Sequence, residues 1–527
     1  MRIIISVLLL SFLTACQLIP TSQKEQYLTV LHTNDHHGRF WHNEDGEYGM
    51  AARKTLIDQL RQDANQQGHS VILLSGGDIN TGVPESDLQV AEPDFKGMSL
   101  IGYDAMAIGN HEFDNPLSVL DQQIAWSDFP LLSANIIDKE TREPAYQSYA
   151  IIQKGHLKIA VVGLTTTDTA KIANPQYIGH LDFITPSVAT QPLVDKIKSK
   201  YNPDVVIAVT HMGHYHNASH GINAPGDVTL ARALKPDTLD MIIGGHSQEP
   251  VCMNKHGKPD TAFTAGKACW PDKQNGIWVM QAHEWGKYVG KAVFKISNDK
   301  KELLSYELIA VNLKNEHGHF ISNEIAKDEA LYNFLLPYQE QGALKLAGSV
   351  GSVDQYLDGK RNTVRFEQSL LADLIINAQA EAVGADFGVI SGGGIRASIK
   401  EGKVSYKDIL KVHPFKNRVA YIDWSGQGLI QYLNVVASFP PDAGAYLQYH
   451  KIDFTIKDGV VSVKTINNKP FDINSNYRMS INSYNASGGD GYPVISNHKN
   501  FQITDVTDAQ ALRLYIEKHS PVKVKRL

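Results

Sequence analysis

Five separated polar runs, each placed just behind a short apolar stretch, constrain this chain more than anything else in it. They are Asp35-His36-His37, Gly77-Asp78, Gly109-Asn110-His111-Glu112, Thr210-His211 and Gly244-Gly245-His246-Ser247-Gln248. The apolar stretches before them, residues 30–31, 71–74, 105–108, 205–209 and 241–243, read as buried strands. Side chains at the carboxyl ends of strands in one α/β sheet converge on one rim, where such sheets hold their ligands. The runs offer Asp, His, Asn and Gln but no Cys. That is an oxygen and nitrogen donor set suited to Zn, Mn, Co or Mg. A lone His behind a strand is more often a hydrogen-bonded rim residue than a ligand. Five such runs at successive strand ends reverse that weighting. They also supply more donors than one tetrahedral ion takes, which predicts a hydrolytic site with two divalent ions.

Within the runs, Asp35 and His37 lie two apart, so an extended backbone points both the same way and turns His36 elsewhere, into a structural role. Asp78 stands behind two glycines that let the chain turn tightly. Its carboxylate is the donor best suited to bridge two cations. Asn110 offers a neutral amide oxygen, and His211, His246 and Gln248 complete the shell. Ions about 3.5–4 Å apart polarise a phosphoryl oxygen and activate water for in-line attack.

A chain of 527 residues exceeds one hydrophobic core, so two domains are expected. Residues 27–322 alternate strand and helix patterns. A helical stretch at 323–347, with Pro337 inside it, reads as an interdomain linker or as a peripheral helix of the first domain. A second α/β domain fills 348–527. The net charge of −6 and the lack of a basic stripe exclude the electrostatic footprint of a nucleic-acid polymer.

The N-terminus carries an export pattern over residues 1–15: Arg2, an apolar stretch, then Leu13-Thr14-Ala15-Cys16. The last four resemble a bacterial lipobox, which makes Cys16 the lipidated first residue of a polar tether at 16–26. Gln17, in place of Asp, favours the outer membrane. The competing reading is an ordinary signal peptide containing a Cys. Export places Cys252 and Cys269 in an oxidising compartment, where they are expected to pair and brace the loop after Gln248.

The second block holds three arginines suited to an anion: Arg361, Arg365 and Arg396, the last closing the glycine-rich run 391–396. Taken singly, each arginine is more often half of a surface salt bridge than an anion ligand. Phe415 and Tyr484 sit in loop contexts and offer flat faces to a planar base, or else belong to the core. Asp490, in a glycine-rich turn, can accept hydrogen bonds from ribose hydroxyls or serve the turn alone.

Taken together, Asp-His-His, Gly-Gly-Asp, Gly-Asn-His-Glu, Thr-His and Gly-Gly-His resemble the metallophosphoesterase signature. Gln248, where the common form has a last His, resembles the 5′-nucleotidase branch, as do residues 31–38 and 109–114. The likeness spans nearly the whole mature chain and is strongest to bacterial periplasmic members that act on 5′-nucleotides and UDP-sugars. It implies an α/β fold: a four-layer αββα metallophosphoesterase domain joined by a helical linker to a smaller substrate-binding domain, rotating about that linker. It implies Asp35, His37, Asp78 and Gln248 on one ion, and Asp78, Asn110, His211 and His246 on the other. His111 would be catalytic and oriented by Asp114, whose other reading is a helix N-cap before Pro116. Arg361, Arg365 and Arg396 would hold the substrate anion. Phe415 and Tyr484 would sandwich the base, with Asn417 and Gly444 beside it and Asp490 on the ribose. Tyr484 departs from the Phe usual there. The implied activity is metal-dependent hydrolysis of nucleoside 5′-mono-, di- and triphosphates, by a monomer. The alternatives are a UDP-sugar hydrolase, a 2′,3′-cyclic nucleotide phosphodiesterase, or a lipoprotein that captures nucleotides without turnover.

Overall fold

The computed structural model describes residues 25–221, 223–254, 256–260, 263–264, 267, 269–297 and 300–524. The export pattern, the lipobox and Cys16 lie outside the described residues.

The apolar strands read as continuous runs because both of their faces are buried. In Val205–His211 every residue is buried, and successive residues enter different cores. Val205, Ile207 and Val209 face the strands carrying Leu28, Val30, Ile72 and Leu74. Val206 and Ala208 instead pack with Val194 and Ile197 of helix Pro186–Tyr201 and Leu230 of helix Asp227–Ala233. On the far side, Leu31 and Leu73 pack with Leu56, Ile57 and Leu60 of helix Met50–Gln66. Period-two alternation thus builds three stacked cores between four layers: helices, sheet, sheet, helices.

The two sheets have six strands each. One runs Lys300–Ala310, Tyr288–Ser297, Gln26–Thr33, Ser70–Ser75, Ala105–Ala107, Leu131–Leu132. The other runs Asp272–Gln274, Ile277–Met280, Met241–Ile243, Val205–His211, Leu157–Thr165, Tyr149–Lys154. This corrects the expectation of a single sheet behind all five polar runs. The first three runs leave one sheet and the last two leave its partner, so the site lies where two rims meet. The pairing of Gln26–Thr33 with Ser70–Ser75, and of Leu157–Thr165 with Val205–His211, fixes this division.

Helix Glu329–Leu346 is N-capped by Asp328, which accepts from the Leu331 amide at 2.8 Å. It buries Leu331 and Leu335 in the outer core of the first half, and an added Cβ at its Gly342 would meet Glu85 at 2.8 Å. It therefore lies on the first half while leading to the second. Beyond it, five strands form a mixed sheet in the order Leu447–His450, Phe387–Ser391, Asn476–Asn482, Arg418–Ser425, Phe501–Thr507. Helices Leu370–Val383 and Asp508–His519 cover one face and Gly426–Val436 the other.

The expected disulfide is absent. Cys252 and Cys269 are free thiols, both 4% exposed. The bridge between Met253 and Trp270 brings their segments together, and each thiol partners the other. They sit in the core between the sheets, where a thiol packs as a small apolar side chain without needing to be oxidised. Among the described residues, no helix is long and apolar enough to cross a membrane.

Candidate active site

The loops behind the strands hold their polar side chains through unusual backbone. Asp35, His37, Asp78, His246 and Gln248 all have φ between 50° and 83°, the left-handed region that costs L-residues energy. Asp35 and His37 are thus not extended, as their spacing suggested. They converge through this turn instead, with Asp35 Oδ1 3.9 Å from His37 Nε2. His36 turns away: its ring meets Asp94 Oδ1 at 2.9 Å and Arg53 at 3.1 Å, buried and structural. Gly77, φ 88°, admits no side chain, since a Cβ would sit 2.6 Å from the Ala107 carbonyl. At Gly109 a Cβ would strike Asp78 Oδ1 at 2.1 Å.

Asp78 is the centre of the cluster. Its Oδ2 lies 2.9 Å from His211 Nε2, 3.8 Å from His37 Nε2 and 4.0 Å from His111 Nε2. Two groups of donor atoms compact enough for an ion, His37–Asp78–His111 and Asp78–His211–His246, share it. Gln248 reaches His37 Nε2 at 2.8 Å, and His246 Nδ1 lies 2.9 Å from Asn110 Oδ1 and 3.3 Å from His211 Nε2. Both oxygens of Asp35 accept from the His246 amide, at 2.9 and 3.1 Å.

The rings are pre-aimed. His37 Nδ1 meets the Thr81 carbonyl at 2.8 Å and His211 Nδ1 the Gly76 carbonyl at 2.7 Å. Contact at Nδ1 turns each Nε2 inward, the arrangement by which outer contacts orient metal-binding imidazoles, and against burial the neighbouring Asp78 raises His211 to about 10. Burial pushes His37 and His246 down to about 3, so both are neutral, the ligand form. For Asp78 burial works upward, but His211 and His111 outweigh it and hold the carboxylate below its ordinary range. Burial raises Asp35. Imidazoles, amides and carboxylates converging on an ionised Asp78 fit a divalent cation on either side of it.

His111 Nδ1 lies 2.6 Å from Asp114 Oδ2, which also accepts from the Thr81 hydroxyl at 2.6 Å. Burial opposes charge on this ring, yet Asp114 and Asp78 raise it to about 9. Asp114 does not cap the following helix, whose N-cap is Pro116.

Sequence reasoning missed Glu112. Its buried carboxylate accepts from the amides of Gly109 (2.7 Å), Ile79 (2.8 Å), Asp78 (3.2 Å) and Asn80 (3.3 Å). It ties the loop of Asp78 to the loop of Asn110 and His111. The only sequence signal was its place beside His111. Asp227, which accepts from the Thr210 hydroxyl at 2.7 Å beneath His211, was also missed.

The second half closes over this cluster. A cavity of about 840 Å³ is lined by Asp78, Asn110, His111, His246 and Gln248 from below. Arg361, Arg365, Arg396, Phe415, Asn417, Gly444, Tyr484 and Asp490 line it from above. Asp35, His37 and His211 lie behind this wall, buried. Burial first, then Arg361 and Arg396, lower Arg365 to about 10, and burial also lowers Arg396. Cations crowded this way favour an anion between them. Arg361 meets Asp442 at 3.2 Å near the mouth. The Phe415 ring lies parallel to His111, 11° between planes and 6.2 Å between centroids, with the Arg396 guanidinium 5.6 Å away.

A two-rim α/β sandwich with this donor cluster defines the calcineurin-like phosphoesterase class, and residues 28–250 match that family. Residues 349–497 match the 5′-nucleotidase C-terminal domain. The chain is 52% identical over 537 residues to a 5′-nucleotidase of Vibrio cholerae, covering 100% of this chain and 97% of that one. It is 51% identical to the protein UshA of Escherichia coli, covering 95% and 92%. A crystal structure of a 5′-nucleotidase precursor from Thermus thermophilus superposes with a TM-score of 0.72 at 26% identity, over 95% and 97% of the two chains. The chain belongs to the 5′-nucleotidase family of metallophosphoesterases, and is a phosphoric monoester hydrolase.

Proposed function

We propose that the chain hydrolyses nucleoside 5′-mono-, di- and triphosphates to nucleoside and phosphate with two divalent ions, outside the cytoplasm, for nucleotide salvage. The observation that carries this reading is the shared cavity, which sets an Asp78-centred donor cluster opposite three arginines and two aromatic faces. Capture without turnover would need no such cluster.

Asp35, His37, Asp78 and Gln248 hold one ion, and Asp78, Asn110, His211 and His246 the other. When bound, the ions supply Lewis-acid polarisation of the phosphoryl oxygens and activation of water. Arg361, Arg365 and Arg396 neutralise and aim the phosphate chain. Phe415 and Tyr484 hold the base between them, Asn417 and Gly444 border its edge, and Asp490 accepts from ribose hydroxyls. For a monophosphate, water adds to phosphorus in line as the bond to the 5′ oxygen breaks. His111, held by Asp114, donates a proton to that departing oxygen. The pattern ending at Cys16 supports export and a lipid anchor in the outer membrane.

The test is phosphate release from AMP, ATP, UDP-glucose and 2′,3′-cyclic AMP by chelated enzyme refilled with Mg, Mn, Co or Zn. Ion-dependent release from AMP and ATP is expected. Release confined to the sugar or cyclic substrate, with coupled phosphatase, would reassign the substrate. Binding without turnover under every ion would leave a capture protein.

A further inference from the structure

Asn34 stands between the strand Gln26–Thr33 and the first candidate ligand, Asp35, and is 2% exposed. Its side-chain oxygen accepts from the Ala282 amide at 2.7 Å. Its side-chain nitrogen donates to the His283 carbonyl and, at 2.6 Å, to Asp35 Oδ2. The main chain fixes which way this amide points: the Ala282 N–H needs the oxygen, and the His283 carbonyl needs the nitrogen. Turned over, the amide would set like groups against each other in a buried place. These contacts join the two sheets. Asn34 leaves one, whereas Ala282 and His283 follow the strand Ile277–Met280 of the other. The Trp285 amide completes the seam by donating to the Asp35 carbonyl at 2.6 Å. Residues 282–285 thus grip residues 34–35 where the two rims meet.

The same contacts sort the two oxygens of Asp35. Oδ2 takes hydrogens from Asn34 and from the His246 amide at 2.9 Å. Main chain lies against it as well, since an added Cβ at Gly245 would come within 3.1 Å. Among the described residues, Oδ1 takes only the longer contact with the same His246 amide, at 3.1 Å, and it lies 3.9 Å from His37 Nε2. Oδ1 is therefore the oxygen left for an ion. A carboxylate free to turn could offer both oxygens or neither. We infer that Asn34 is a positioning residue for the first ion: it holds Asp35 so that Oδ1 alone is presented beside His37 and Gln248. The inference rests on the ligand assignment proposed above.

The test is ion binding by chelated protein titrated with Co, read as visible absorption and as bound ions per chain. Gln248→Ala and Asn110→Ala supply the references, since each removes one ligand of one ion. In Asn34→Ala the first ion is expected to bind about 10- to 100-fold more weakly, the usual cost of losing a group that orients a ligand, and the second within about threefold. The spectrum of the remaining ion should match that of Gln248→Ala and not that of Asn110→Ala. Asn34→Asp separates orientation from support of the loop. It keeps an oxygen for the Ala282 amide and puts a second oxygen where the donor stood. The added charge alone would tighten the first ion, whereas loss of the hold on Asp35 should weaken it about tenfold or more. Unchanged or tighter binding in Asn34→Asp, or equal weakening of both ions in Asn34→Ala, would overturn the inference. If Gln248→Ala keeps both ions at wild-type affinity, the ligand assignment itself fails, and the inference with it.

Discussion

The two halves build their shares of the cavity by different means. In the first, the backbone does the placing: five candidate ligands sit at positive φ, imidazoles are aimed by main-chain carbonyls, and Glu112 clamps two loops through their amides. That cluster is complete within one half, with Asp35, His37, Asp78 and His211 buried at its base. In the second, single side chains reach into the cavity from separate loops, and several contacts cross to the other half. Tyr484 meets Ile172, Lys416 lies 3.4 Å from the Asp87 carbonyl, and Lys407 pairs with Glu85 at 2.6 Å. A rigid cluster suits ions that demand fixed geometry, whereas groups that cross a cleft can admit and release a large substrate. Damage to the first half should therefore remove chemistry, and damage to the second should weaken binding.

The sharpest break is at Asp78, which belongs to both donor groups. Asp78→Asn is expected to lose metal at both positions, measured as bound ions per chain, and to lose turnover with it. Full retention of two ions would show that the first half does not depend on one shared carboxylate. His111→Ala should lower kcat on the order of 10²- to 10⁴-fold while bound metal stays near wild type. Unchanged kcat would move the proton donor elsewhere.

Phe415→Ala tests the other side of the comparison. The loss of one stacking face should raise KM for nucleotides about five- to hundredfold. For a small aryl phosphate, which has no base, KM should change little. Equal effects on both substrates would mean that Phe415 acts through its parallel contact with His111 rather than through the base.

The same contrast explains what was legible in the chain. Strands such as Val205–His211 announced themselves because burial on both faces makes them almost wholly apolar, and their ends marked the polar loops. Which sheet each strand joined was not legible, because that depends on long-range pairing of runs that look alike. The spacing of Asp35 and His37 suggests an extended segment, where the structure has a turn. Asp tolerates a left-handed backbone locally, but nothing at His37 or His246 signals one. Glu112 was invisible because its partners are main-chain amides, which every sequence has. The meeting of Cys252 and Cys269 followed from loop ends brought together, but packing alone does not decide whether two adjacent thiols are joined.

The smallest expected effect lies at the cleft edge. Glu85 is 2% exposed and one of its oxygens has no hydrogen-bond partner, so the Lys407 ammonium is its main compensation when the halves are together. Lys407 is itself about one-third exposed, so water screens much of this attraction. Lys407→Ala should therefore raise the AMP KM only roughly two- to fivefold, with kcat and bound metal unchanged. Glu85→Gln in the same background should recover part of the loss, because it removes the buried charge left without a cation. If Lys407→Ala instead lowered kcat and metal content, the pair would be organising the first half through helix Glu329–Leu346, which packs against Glu85 at Gly342, and the division between a rigid chemical half and a closing half would fail at this point.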